Sequence, residues 1–359
     1  MNVTPALRPS STLHPSGRQA LEFPHGGPPA PGATIEVAPG VHWLRMPLPF
    51  ALDHINLWLL ADGEGWTIVD TGFGRGDETR NLWLQVFAAT LGSRKVRRVI
   101  VTHFHPDHIG LAGWLCERFD VPLWCTQAEW LTAHLVIRGW GGGDVERRLD
   151  HYRKNGFTDD QLDLFRQRGN PFALNVTPVP PAFHRIMEGD EIEIGGRPWR
   201  VIVGFGHAPE HACLHQPELG VLISGDQVLP KITTNVSVWP DQPEGDPLKL
   251  YLDSLAKFRP LPEETFVLPS HGLPFLGLHL RLDQLAEHHE ERFQHTIDSC
   301  AEPRSGADII PILFRRKLDL HQLGFAIGEA LAHLNYLVGA GRMERIVGAD
   351  GIYRFAARA

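Results

Sequence analysis

Thr102-His103-Phe104-His105-Pro106-Asp107-His108-Ile109-Gly110 follows the apolar run Val99–Val101 and carries the pattern H-x-H-x-D-H. A strand running into a loop presents His103 and His105 on one side, while Asp107 and His108 open the next helix and turn to a second point. Such a set could hold two metal ions a few ångströms apart. Neutral imidazole and carboxylate suit zinc, at ligand distances of about 2.0–2.2 Å. A donor set without thiolates that leaves room for water points to catalysis rather than to a structural metal.

Further donors stand downstream. His207 lies in Gly206-His207-Ala208-Pro209-Glu210-His211 after the run Trp199–Val203, Asp226 in Ser224-Gly225-Asp226 after Val221–Ser224, and His271 in Pro269-Ser270-His271-Gly272 after Val267–Pro269. All three fall at or just beyond strand ends, where α/β sites collect, and each has a glycine beside it. Upstream, Trp66-Thr67-Ile68-Val69-Asp70-Thr71-Gly72 repeats the arrangement. Asp70 there could orient a ligand imidazole through its far ring nitrogen; a turn-forming role is its alternative. His211 is expected behind the ligands, and His54 and Asn56 near the same edge as a hydrogen-bonded pair.

The 359 residues are about two domains' worth, and 43% hydrophobic residues supply a buried core. With 36 glycines and 29 prolines the chain turns often, which excludes a plain helical bundle. No apolar run approaches the length of a membrane span, and Met1–Gly17 lacks the apolar stretch of a signal peptide. Cys116, Cys125, Cys213 and Cys300 form no C-x-x-C pair, so a reducing cytoplasm is the expected setting. The net charge is −8, and from residue 281 onward 10 basic residues face 11 acidic ones. Neither part has the cationic excess that phosphate-backbone binding needs.

Along the chain, residues 1–33 read as a flexible Pro/Gly-rich tail. Strands are expected at Thr34–Val37, His42–Met46, His54–Leu60, Trp66–Asp70, Val96–Thr102, Leu123–Thr126, Glu191–Ile194, Pro198–Val203, Gly220–Ser224 and Thr265–Pro269. Helices are expected at Asp77–Leu91, His108–Phe119 and Asp246–Phe258. A helical insertion occupies about 127–170, with Gly141–Gly143 as a break. It could be a lid over the site or, alternatively, a packed excursion or the contact of a homodimer. Residues 282–359 give three helices, Leu282–Cys300, Ala307–Phe314 and Leu320–Val338, then a hairpin. That is the order of a winged-helix module.

The combination of VDTG, THFHPDHIG, GHAPEH, SGD and PSHG over residues 34–281 resembles the metallo-β-lactamase fold superfamily of metallohydrolases. The resemblance implies an α/β fold, a four-layer αβ/βα sandwich with the metal site at one edge. It implies that His103, His105 and His207 hold one zinc, Asp107, His108 and His271 the other, and that Asp226 bridges both; iron or manganese are alternative metals. A redox di-iron branch typically has Glu where His105 stands, which disfavours oxygen chemistry. Glu210 departs from the Gly common after the proline. The C-terminal segment is similar to the small winged-helix domain of one subgroup, which includes an RNA endonuclease.

A water between two divalent cations is acidified toward neutrality, which suits attack on a carbonyl or a phosphodiester. Asp107 is expected to orient that nucleophile and carry a proton. Lys231 and Asn235, just past Asp226, are candidate substrate-binding residues; solvent-facing loop positions are the alternative. The leading expectation is a thioesterase acting on an acyl-CoA or acylglutathione-like small molecule, motivated by similarity to hydroxyacylglutathione hydrolases. A lactonase or β-lactamase, an endoribonuclease, and a metal-binding regulator remain as alternatives. A basic path to the metals would favour the nuclease, but nucleic acid is not the expected partner, nor is a membrane.

Overall fold

The computed structural model describes residues 20–92 and 94–358. A seven-stranded sheet runs in sequence order through β1 (Ile35–Ala38), β2 (Val41–Pro47), β3 (His54–Asp62), β4 (Gly65–Val69), β5 (Lys95–Ile100), β6 (Leu123–Cys125) and β7 (Phe183–Arg185). A five-stranded sheet has the order β12-β11-β10-β9-β8, from β8 (Glu191–Ile194), β9 (Arg197–Gly204), β10 (His211–Gln216), β11 (Val221–Gly225) and β12 (Phe266–Pro269). The pairs β4–β5, β5–β6, β6–β7 and β11–β12 are parallel.

Strand alternation builds the layers. Trp58 and Leu60 of β3 join Trp43, Val69 and Ile100 against Trp199, Val201, Leu214, Ile223 and Leu268 of the other sheet. The intervening Leu57 and Leu59 turn outward to α1 (Glu78–Val86) and to α3 (Ala112–Phe119), which follows the single turn of α2 (Pro106–Ile109). On the far side of the second sheet, Cys213, Leu222 and Val267 meet α7 (Pro247–Leu255) and α8 (Leu278–Ser299). The four layers expected from the resemblance are therefore present. Burial of whole Trp and Leu side chains stabilises them by about 1.5–3 kcal/mol each.

Two strands escaped the sequence reading. β10 is buried at every position, and its His, Cys and Gln residues show no apolar alternation. β7 has three residues and one partner, β6. The helix expected at His108–Phe119 is broken at Gly110, and the one expected to reach Leu91 ends in a π-helical turn over Phe87–Leu91. Of the tail expected over 1–33, residues 1–19 lie outside the described residues. In the remainder Glu22 exchanges backbone hydrogen bonds with Leu276, and Leu21 and Phe23 pack on the core, so this part is tied down.

The insertion contains α4 (Gln127–Ile137), α5 (Val145–Lys154) and α6 (Asp159–Arg168). Thr158 caps α6 with a reciprocal bond to Gln161. The C-terminal segment contains α9 (Gly306–Leu313), α10 (Leu320–Gly339) and the hairpin β13 (Met343–Val347) and β14 (Tyr353–Ala357). Leu149, Tyr152, Phe157, Leu162 and Phe165 of the insertion share one core with Ile309, Ile327 and Leu331. Trp140, within the insertion that could form a lid, is 63% exposed. Among the described residues no helix is long and apolar enough to cross a membrane.

Candidate metal centre

The C-terminal ends of β4, β5, β11 and β12 converge with the β9–β10 loop, and each delivers one part of the cluster. Asp70 follows β4 in the left-handed region at φ 61°, which aspartate tolerates better than most residues. Its Oδ1 accepts the N–H of Thr102 at 2.8 Å, and its Oδ2 accepts from His108 Nδ1 at 2.8 Å. The proton of His108 is thereby held on Nδ1, leaving the Nε2 lone pair for the interior of the site. His207 and His271 are set in the same manner. Their Nδ1 atoms donate to the carbonyls of Asn235 at 2.7 Å and His54 at 2.8 Å.

Glycine permits the close approach of the loops. At Gly225, φ is +53° and a Cβ would lie 2.3 Å from His211 Cε1. His211 Nε2 in turn accepts the Asp226 backbone N–H at 3.0 Å, and its ring stacks 4.8 Å from His103. Burial lowers the His211 pKa to about 3, so the ring stays neutral and serves as a fixed acceptor behind Asp226. Asn56 reaches from β3 to the Pro269 carbonyl at 2.8 Å and the Gly272 carbonyl at 3.0 Å, fixing the loop that presents His271.

The donors fall into two facing groups. His103 Nε2 lies 2.9 Å from His105 Nδ1 and 3.1 Å from His207 Nε2. Asp107 Oδ2 lies 3.6 Å from His108 Nε2 and 3.5 Å from His271 Nε2. Asp226 stands between them, with Oδ2 3.4 Å from His207 Nε2 and Oδ1 3.4 Å from His271 Nε2. Within each of the sets His103, His105 and His207, Asp107, His108 and His271, and the bridging set His103, His108 and Asp226, the ligand atoms lie within 4.8 Å of one another. All the residues named as ligands in the sequence meet here.

The cluster fits metal by its unmet needs. His108 Nε2 and Asp226 Oδ1 are buried 3.5 Å apart, and neither has a hydrogen-bond partner. Buried polar atoms left so cost about 1–3 kcal/mol each unless a ligand engages them. Burial pushes the His103 and His105 pKa values well below 6.5, giving the neutral rings that bind metal. Burial also opposes charge on His108, but Asp107, Asp70 and Asp226 overcome it and raise its pKa to about 10. That concentration of negative field is what a divalent cation compensates.

One candidate substrate-binding residue, Asn235, departs from its sequence reading, while Lys231 keeps the exposed loop position that was one of its two readings. The Asn235 side chain is engaged elsewhere, with Oδ1 accepting from Ser237 at 2.8 Å and Nδ2 donating to Glu329 of α10 at 3.3 Å. It is the Asn235 carbonyl that reaches the site, through His207. Lys231 is exposed in the same loop. Glu210, the departure from the family pattern, accepts the N–H of Ala128 at the start of α4 at 3.1 Å.

Glu129 was absent from the sequence reading. It is fully buried on α4, accepting the N–H of Phe104 at 2.8 Å and of Glu210 at 2.6 Å. The available signal was its spacing. Glu129, Ala133 and Val136 form the buried stripe of the helix, so an acid stands where an apolar residue belongs.

Comparison with known proteins agrees with this geometry. The family model described as the metallo-beta-lactamase superfamily matches residues 51–271, and that of the metallo-beta-lactamase-like C-terminal domain matches 293–358. The crystal structure of a beta-lactamase domain protein from Burkholderia ambifaria is 49% identical, with a TM-score of 0.88 over 94% of this chain and 98% of that one. The probable metallo-hydrolase YqjP of Bacillus subtilis (strain 168) is 24% identical over 82% of this chain and 91% of its own length. An acyl-coenzyme A thioesterase of Gallus gallus is 27% identical over 53% of this chain and 63% of its own length.

Proposed function

The chain belongs to the metallo-beta-lactamase superfamily of metal-dependent hydrolases, and from that premise we propose that it is a dinuclear zinc thioesterase acting on a small acyl thioester. The observation that carries the reading is Asp226, whose two oxygens face two separate imidazole groups. His103, His105 and His207 would hold one ion and Asp107, His108 and His271 the other, with Asp226 common to both. When bound, such ions supply Lewis acidity and an acidified water. The similarity to an acyl-coenzyme A thioesterase supports the substrate class.

The side chains have separable tasks. Asp70 and the carbonyls of Asn235 and His54 orient three of the imidazoles. Asp107 is 19% exposed and turns Oδ2 to the imidazoles of His108 and His271. Its Oδ1 takes the proton of the attacking water and returns it to the leaving thiolate, for which general acid–base transfer contributes about 10²–10⁴-fold. The C-terminal segment, with its winged-helix order of elements, walls one side of the cleft rather than binding nucleic acid.

The test is thiol release from a panel of acyl-CoA and acylglutathione thioesters by zinc-loaded protein, with His103→Ala as the control for contaminating activity. Turnover that disappears in the control supports the thioesterase. Asp107→Asn should keep much of the metal and lose most turnover; equal activity would remove the proton-carrying role. No turnover across the panel would shift the assignment to lactones or to single-stranded RNA.

A further inference from the structure

A group on the C-terminal segment lies within the field of the Asp107 carboxylate and takes no part in the scheme above. His321 lies half-buried in the first turn of α10. Its ring stacks on Phe50 with centroids 4.6 Å apart and planes at 19°, and it meets the edge of Phe325 at 4.9 Å. Phe50 precedes β3, whose first residue, His54, holds His271 through its carbonyl. The Asp107 carboxylate is among the charges whose field reaches the His321 ring. His321 is thereby linked, through Phe50 and the segment leading into β3, to the Asp107 and His271 side of the cluster.

Its protonation is set by a neighbour. Arg168, at the end of α6, donates Nη2–H to His321 Nδ1 at 2.6 Å and Nη1–H to the Leu320 carbonyl at 3.4 Å. A guanidinium only donates, so Nδ1 must offer its lone pair. Burial, reinforced by Arg168, lowers the pKa of the ring and keeps it neutral. The one ring proton is then on Nε2, and the ring presents a donor whose orientation the Phe50 stack and the Arg168 bond both fix.

The surroundings select the charge of the acceptor. Arg148 is buried beside Arg168 and acts on it electrostatically. Arg148 donates to the carbonyls of Gly142 and Gly169, and among the described residues neither guanidinium pairs with a carboxylate. Asp319, whose field also reaches Arg168, is occupied in capping α10, accepting the Gln322 N–H at 2.8 Å. Two unneutralised cations behind a fixed N–H donor favour an anion. We propose that His321, oriented by Arg168, binds an anionic substituent of the substrate, a phosphate or carboxylate remote from the scissile bond. The inference rests on the reading of the site as one that cleaves a small acyl thioester, and names the part of the substrate that the C-terminal segment recognises.

The experiment is calorimetric titration of the zinc-loaded full chain with free CoA and with glutathione, for the wild type, His321→Phe and His321→Gln. Phenylalanine keeps the stack on Phe50 and removes the donor, whereas glutamine restores an N–H. His321→Phe should weaken the recognised thiol about tenfold, the size of one charge-assisted hydrogen bond, and His321→Gln should recover part of that loss. Loss confined to CoA assigns the anion to a phosphate, and loss confined to glutathione assigns it to a carboxylate. In parallel, kcat/KM on the S-acetyl ester of the recognised thiol should fall about tenfold more in His321→Phe than on the uncharged S-phenyl thioacetate. Equal losses on the two esters, unchanged binding of both thiols, or no binding of either by the wild type would overturn the inference. CoA binding that depends on His321 in a protein without thioester turnover would instead retain the anion site and reject the thioesterase.

Discussion

Glu129 Oε2 accepts the backbone N–H of Phe104 at 2.8 Å, which places a carboxylate of the inserted helix directly under the loop between His103 and His105. Its other oxygen holds the N–H of Glu210, three residues past His207. One side chain thus sets the spacing of two loops that together carry three of the candidate ligand imidazoles, His103, His105 and His207. Burial pushes its pKa up to about 7, against the pull of the two N–H groups.

Glu129→Ala should leave those two buried N–H groups without an acceptor and destabilise the fold by about 2–4 kcal/mol. Glu129→Gln keeps one acceptor and should fall between. Urea unfolding gives the stability order. Zinc content after dialysis, measured by mass spectrometry, should fall in the same order as the loops separate.

Asp70→Asn should keep the left-handed backbone conformation but turn an amide N–H toward His108 Nδ1. The His108 proton would then move to Nε2 and block metal binding there. Affinity for one of two ions should drop about 10–100-fold, as for other partners of ligand histidines. Competition with a coloured chelator should resolve one weakened and one unaltered site; two unaltered sites would contradict the orienting role.

Removal of metal should lower the melting temperature. Ions that bind only the folded chain at about 100–1,000 times their Kd add roughly 2.7–4.1 kcal/mol. Calorimetric scans with and without a chelator should differ for the wild type. They should nearly coincide for Asp226→Ala, which lacks the carboxylate shared by both groups.

Acid should destabilise the protein through His333. This ring is buried, donates Nδ1–H to the Glu329 carbonyl at 2.8 Å, and has its pKa lowered to about 4, chiefly by burial. The unfolded chain binds the proton at about 6.5 and the folded one only near 4. The contribution is therefore complete above pH 6.5 and is lost as pH falls through that window, by up to roughly 3 kcal/mol. Unfolding free energies of His333→Gln should depend less steeply on pH between 6.5 and 4 than those of the wild type, both measured with chelator present.

The candidate metal ligands were legible because each stands at or just past the end of an apolar run, and those runs became β5, β9, β11 and β12. Asp70 was legible for the same reason. Asn235 was placed near the site but in the wrong role, since nothing in its neighbours distinguishes use of the side chain from use of the carbonyl. Glu129 looks like an ordinary first-turn acid, favoured there by the helix dipole. His321 and Arg168 are 153 residues apart in the chain, so only tertiary packing brings the pair together.

The core that joins Leu149, Tyr152 and Phe165 to Ile309, Ile327 and Leu331 limits how this scaffold can be recombined. A chimera that exchanges the C-terminal segment alone would set foreign side chains against α5 and α6, and one that exchanges the insertion alone would do the reverse. Transplanting specificity between relatives therefore requires both pieces as a single cassette, even though more than a hundred residues of the second sheet and its helices separate them in the chain. Divergence in one piece should be tracked by compensating change in the other.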